Sequence, residues 1–168
     1  MLGAAKKDMQ SNLKIIMQGS KGKPHLRTME DIVREDIKNN TCFRDNKKRD
    51  GLSFGILWLL RALRFILFFL ENMDHQHPEF GSKETAACSK DAYGKSIKPY
   101  HGWILSSIFS TMMGQVPNRK TFVKNLALGH SDSELYHEMR LFVQIAKPKV
   151  DKLHQFMIEE DLNDPWKA

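Results

Sequence analysis

Apolar positions crowd into one stretch of this chain, 54–70 (FGILWLLRALRFILFFL), which only Gly55, Arg61 and Arg64 interrupt. At 3.6 residues per turn, Phe54, Trp58, Phe65 and Phe69 fall within roughly 60° of one another, so one helix face carries four aromatic rings. The remaining faces are apolar as well, which predicts a central helix contacted from several sides. The two arginines argue against a membrane span, because a charge near a bilayer centre costs about 2.5–3.5 kcal/mol on insertion scales.

The surrounding pattern is helical throughout. Met9, Leu13 and Ile16 recur at i, i+4 and i+7 within a segment over 7–17, and QGSKGKP breaks it. A second helix is predicted over 26–38, with Met29, Ile32, Val33 and Ile37 on one side. The charged, Asn-rich stretch 39–50 reads as a loop, and 73–83 as another connector in which His75 and His77 are solvated. Helices are predicted over 85–97 and 100–116, with Pro99 marking a start or a kink between them. Pro117 closes that element. A short helix over 118–128 ends at Gly129, and Ser131 with Glu134 forms a capping box for a final helix that bends at Pro148. No alternating strand pattern or repeat is present, so the fold class is all-α.

Composition narrows the function classes. With 168 residues, 41% hydrophobic and 27% charged, the chain suits one globular domain. A net charge of +6 implies attraction to an anionic partner, either nucleic acid or an acidic membrane surface. Lys47, Lys48 and Arg49 form the only tight basic cluster, which a solvated loop explains, so nucleic acid is not expected as a partner. Cys42 and Cys88 lack metal-ligand spacing and fit a reducing cytosol, and MLGAAKKDMQS has no secretory apolar stretch. A cytoplasmic location is therefore expected, with no metal and no cofactor.

The chemistry-bearing residues are sparse. Tyr93, Tyr100, His101 and Trp103 cluster in AYGKSIKPYHGWI, without a nucleophile motif or phosphate loop, which argues against an enzyme. Asp8 and Asn12, four residues apart, project from one helix face. An indole face such as that of Trp58 suits stacking on a sugar ring, because sugar C–H groups are weakly positive and the aromatic face is negative.

In this order, the segments LKIIM, LRTMEDIV, LWLLRALRFI, AYGKSIKPYHGWI and EMRLFV resemble the glycolipid transfer protein family over nearly the whole chain. The resemblance implies an all-α two-layer helical sandwich that holds one sphingolipid, here as a single domain over 1–168. Its N-terminal helix is expected to be missing or shortened, since Asp8 lies close to Met1. It also implies that Asp8, Asn12, Trp58 and His101 bind the head group: Asp8 and Asn12 through amide and sugar hydroxyls, Trp58 by stacking, and His101 through the ceramide carbonyl. Phe54, Phe65, Phe69, Phe109, Met113, Phe122 and Phe142 match tunnel-lining positions, and Trp103 matches a membrane-docking tryptophan.

The phosphate-binding branch of the family carries arginines at the positions of Phe54 and Trp58, so aromatic residues there imply a neutral sugar. The expected function is non-enzymatic binding and intermembrane transfer, or sensing, of glycosphingolipids at a transiently contacted membrane. Departures are Ile15 at a position where the family has a basic residue, and Pro99 two residues before His101. These favour the alternative, a transfer-inactive helical module or a lipid sensor whose tunnel is incomplete and whose apolar surface binds a protein partner.

Overall fold

A computed structural model describes residues 2–46 and 51–165, with side chains over 6–45 and 51–165. Lys47, Lys48 and Arg49 lie outside the described residues. Those described form eight α-helices and no strand: α1 (Leu2–Ser20), α2 (Met29–Lys38), α3 (Phe43–Asn46), α4 (Gly51–Met73), α5 (Thr85–Ser96), α6 (Trp103–Gly114), α7 (Arg119–Ala127) and α8 (Asp132–Glu159). A 3₁₀ turn, Lys98–Tyr100, stands between α5 and α6. Two compact units emerge, one of Met1–Ala62 with Val150–Asp164 and one of Leu63–Lys149 with Pro165–Ala168, so α4 and α8 contribute to both.

In the first unit the predicted helix over 26–38 starts at Met29, because Thr28 caps it. The Asp31 N–H donates to Thr28 Oγ1 at 3.1 Å and the Thr28 N–H donates to Asp31 Oδ2 at 3.0 Å. Those bonds, the Thr28 pair first, hold the Asp31 carboxyl below the usual carboxylate range. Ile32 and Val33 are buried, as the apolar spacing predicts. Buried Asp36 then reaches α4: its carboxylate accepts from the Ser53 N–H at 2.9 Å and from the Thr41 hydroxyl at 3.1 Å. Ser53 is in the first turn of α4, where helical N–H groups have no intrahelical acceptor, so Asp36 caps α4 from another helix. The 39–50 stretch, expected to be a loop, contains the short helix α3, whose Phe43 is buried edge-on against Phe54 at 5.4 Å.

By length and composition α4 could cross a membrane. Here its aliphatic side is the core of the first unit, with Ile56 and Leu57 fully buried and Leu60 at 1% exposure. The aromatic stripe is different. Phe54, Trp58, Phe65 and Phe69 are each half-buried.

The second unit packs around Met73, Phe80, Cys88, Val123 and Met139, with Phe69 and Phe122 against that cluster. Arg119 ties its segments together. One guanidinium nitrogen donates to the carbonyls of Lys83 (2.8 Å) and Phe80 (3.3 Å), the other to those of Met73 (2.7 Å) and Asn72 (3.4 Å), so the C-terminal end of α4 is capped by a cation. His77, expected to be solvated, instead braces the connector: its Nδ1 accepts from the backbone N–H groups of Glu79 (3.2 Å) and Phe80 (3.1 Å). The His75 ring packs on Tyr136 at 4.4 Å. The predicted capping box forms, with the Ser131 N–H donating to Glu134 Oε2 at 2.8 Å and the Glu134 N–H to Ser131 Oγ at 3.2 Å. The following helix, α8, continues through Pro148.

Candidate head-group site

Within the first unit, α1 carries Asp8 and Asn12 one turn apart. The Asn12 amide donates to the Asp8 carbonyl at 3.1 Å and to Asp8 Oδ2 at 3.4 Å, so the pair is already aligned. Partial desolvation raises the Asp8 carboxyl above its ordinary value of 3.8. Two glycines bring α1 and α4 together. A Cβ on Gly19 would collide with the side chain of Leu52, and one on Gly55 would lie 3.7 Å from the Asn12 carbonyl oxygen. These contacts run in opposite senses along the two helices, so α1 and α4 pass antiparallel. Asn12 therefore sits beside the turn of α4 that precedes Trp58.

The Trp58 indole meets Phe54 edge-on at 6.2 Å, while the Arg61 guanidinium lies 5.1 Å from the indole centroid. Arg61 is only 3% exposed, and its guanidinium also donates to the Asp164 carbonyl at 2.5 Å. Its spacing of three from Trp58 was visible in the sequence, but its role as a brace for the indole was not. Asp8, Asn12 and Trp58 thus belong to one compact unit.

His101 belongs to the second unit. Helix α5 ends before Pro99, which falls inside the 3₁₀ turn, so the proline interrupts no α-helical ladder. His101 follows in extended conformation and is buried. Its Nδ1 lies 2.9 Å from the hydroxyl of buried Tyr93, and its ring packs at 4.7 Å from Phe109. Tyr93 and Phe109 stack at 5.5 Å, and Ser106 Oγ donates to the His101 carbonyl at 3.4 Å. Burial pushes the Tyr93 phenol up, which keeps it protonated as a hydrogen-bond partner.

The residues expected to line a tunnel divide by environment. Phe65 stacks on Phe69 at 6.1 Å, Phe69 meets Phe122 edge-on at 5.4 Å, and Met113 is buried. Phe142, by contrast, is 47% exposed. Trp103, the first residue of α6, is 82% exposed, and Ile104 and Ile108 are exposed on the same helix. The second unit also holds a cleft of about 520 Å³ between the end of α4 and α8; Arg140 pairs with Asp74 and Lys147 with Glu71 there, and none of the expected site residues line it.

The GLTP (glycolipid transfer protein) family profile matches residues 1–128. The rat protein Pleckstrin homology domain-containing family A member 8 is 25% identical over 130 residues, which cover 77% of this chain and 23% of that protein. The chain thus spans about a quarter of that relative's length. Its fold superposes on the GLTP fold with which FAPP2 selects simple glycosphingolipids, at a TM-score of 0.83 and 20% identity, covering 99% of this chain and 78% of the other. It also superposes on human ceramide-1-phosphate transfer protein solved with 12:0 ceramide-1-phosphate, at a TM-score of 0.81 and 23% identity, covering 98% and 79%. Helix content without strands among the described residues, the profile match over most of the chain and both superpositions agree: this chain belongs to the glycolipid transfer protein family.

Proposed function

We propose that the chain is a non-enzymatic carrier or sensor of glycosphingolipids, with a neutral sugar stacked on Trp58. The observation that carries this reading is the meeting of α1 and α4, which sets the Asp8–Asn12 pair beside the turn preceding Trp58. Asp8 accepts from amide or hydroxyl donors, Asn12 both donates and accepts, and the indole offers an apolar face to sugar C–H groups. The Arg61 guanidinium lies over the indole at 5.1 Å from its centroid and helps hold it in place. His101 serves the ceramide amide, with Tyr93 holding its Nδ1.

Sugar is favoured over phosphate by two features. Phe54 and Trp58 occupy positions where guanidinium forks would bind phosphate, and the guanidinium of Arg61 is already engaged by an indole and a carbonyl. Affinity comes mainly from burial of acyl methylenes, at about 0.8 kcal/mol each. Trp103, Ile104 and Ile108 serve transient docking on a membrane, as amphipathic and apolar groups do at a bilayer interface. A cytoplasmic site of action is consistent with Cys42 and Cys88, both free and buried.

Trp58→Ala tests the assignment. In a vesicle transfer assay with a fluorescent galactosylceramide, the variant is expected to lose uptake while its far-UV circular dichroism stays at the wild-type level. Uptake retained in full would refute the sugar stack. A second reading, a helical module that binds a protein partner in place of lipid, is favoured by the exposed α8 residues Leu141, Phe142 and Ile145. Native mass spectrometry separates the two, since a carrier retains a lipid-sized adduct and such a module does not.

A further inference from the structure

Helix α1 has a second face that the head-group assignment does not use. Lys7, Lys14 and Lys21 recur every seven residues; at 100° per residue Lys6, Leu13 and Met17 join Lys7 and Lys14 on one side of the helix, and Lys21 follows in the turn just past its end. The four lysines are exposed, and so are the two apolar side chains, Leu13 at 43% and Met17 at 64%. Leu13, Lys14, Met17 and Lys21 line a shallow groove of about 340 Å³ along this face. Asp8 is the sole acidic residue before Glu30, and it projects from the opposite side with Asn12. Leu13 therefore departs from its expected place on the buried face, leaving Ile16 as the buried anchor of the helix.

We infer that this lysine-lined face of α1 is a docking surface for anionic bilayers, separate from the aromatic and isoleucine contacts of α6. The mixture of residues selects the partner. Lysines attract phosphoserine or phosphoinositide head groups, and their aliphatic stems let the ammonium remain at head-group level while neighbouring Leu13 and Met17 enter the acyl boundary. A nucleic acid would reward the lysines through its phosphates but offers no acyl layer for Leu13 and Met17. Each lysine close to an anionic surface strengthens binding by roughly fivefold, so this face couples lipid carriage to membrane charge. The inference holds whether the cargo head group is a sugar or a phosphate.

The test uses the whole chain and co-sedimentation with vesicles of phosphatidylcholine, with or without phosphatidylserine. Wild type is expected to partition more strongly onto the anionic vesicles, and added salt is expected to reduce the difference. Lys14→Glu with Lys21→Glu should weaken that partition by at least about tenfold. Leu13→Ser with Met17→Ser should weaken it several-fold while leaving the charge intact. Uptake of glycosphingolipid from detergent micelles should stay at the wild-type level in both variants, which separates this surface from the cargo site. Any of three outcomes would overturn the assignment: no preference for anionic vesicles, unchanged partition of either double variant, or loss of micelle uptake in parallel with vesicle binding. Displacement of wild type from vesicles by duplex nucleic acid, with tighter binding to that duplex, would reassign the face to nucleic acid.

Discussion

A tyrosine eight residues before His101 decides how that imidazole is presented. The Tyr93 hydroxyl, 2.9 Å from Nδ1, and the Phe109 ring hold the imidazole from two sides. Tyr93→Phe should preserve the stacking yet release Nδ1, lowering stability by about 1 kcal/mol and ceramide-lipid affinity about tenfold. Binding titrations beside thermal melts would check both, and unchanged affinity would show that Tyr93 only packs. Asp8 makes an opposite trade. Its carboxyl titrates higher in the folded chain than in the unfolded one, so below 3.8 both states are protonated and the group carries no penalty. As pH rises through the folded pKa, the unfolded chain has already released its proton, and stability falls. Asp8→Asn should remove that fall, giving a variant at least as stable at neutral pH but weaker in sugar-lipid uptake. Melts from below 3.8 to neutrality would detect the difference in slope. Both residues are legible in the sequence as candidates, whereas the bond between Tyr93 and the imidazole is not, because it depends on where the chain turns at Pro99.

Helix ends show a similar divide. The Ser131 box is local, four residues that satisfy one another, and the sequence alone announces it. The ends of α4 are capped from afar. Asp36 supplies an acceptor to its first turn and Arg119 supplies donors to its last, across separations of 17 and 46 residues. Arg119→Met would keep much of the side-chain bulk but strip the carbonyls of Asn72, Met73, Phe80 and Lys83 of a charged donor. The expected cost is about 2–4 kcal/mol, a fall of roughly 4–16 °C in Tm by calorimetry. A change within experimental scatter would mean that water replaces the guanidinium at these carbonyls. The glycines at positions 19 and 55 act at this scale as well, since α1 and α4 pass closely enough that a side chain on Gly19 would have to displace Leu52.

Across the whole molecule, half-buried aromatic rings and exposed apolar side chains coexist with a dry aliphatic core. A ligand that buries apolar surface on the folded chain and not on the unfolded one raises stability by mass action. At a hundredfold excess over Kd the gain is about 2.7 kcal/mol, or roughly 5–10 °C for a chain of this length. Differential scanning calorimetry should therefore register a clear upward shift with a soluble short-chain galactosylceramide and a smaller one with ceramide-1-phosphate. The shift should disappear in Trp58→Ala. Equal shifts with both lipids would contradict the choice of sugar over phosphate, and a larger one with ceramide-1-phosphate would reverse it.

Local order was written in the chain: helical periodicity, the capping box and the greasy identity of α4 rest on neighbours within a few turns, whereas Asp8, Asn12, Trp58 and His101 were grouped as candidates only through the resemblance of several distant segments to one family. Which side of α4 becomes dry was settled in three dimensions. Periodicity put four aromatic rings on one face and apolar residues on the others without ranking them; full burial went to Ile56, Leu57 and Leu60, because branched aliphatic side chains fill the interior of the first unit while the rings stay half-covered. Tertiary structure also turned Leu13 outward, fixed Tyr93 on His101 and aimed Asp36 and Arg119 at the ends of α4. The physical reason is range: periodicity records what each residue meets on its own helix, while burial and capping depend on groups brought near only when distant segments pack.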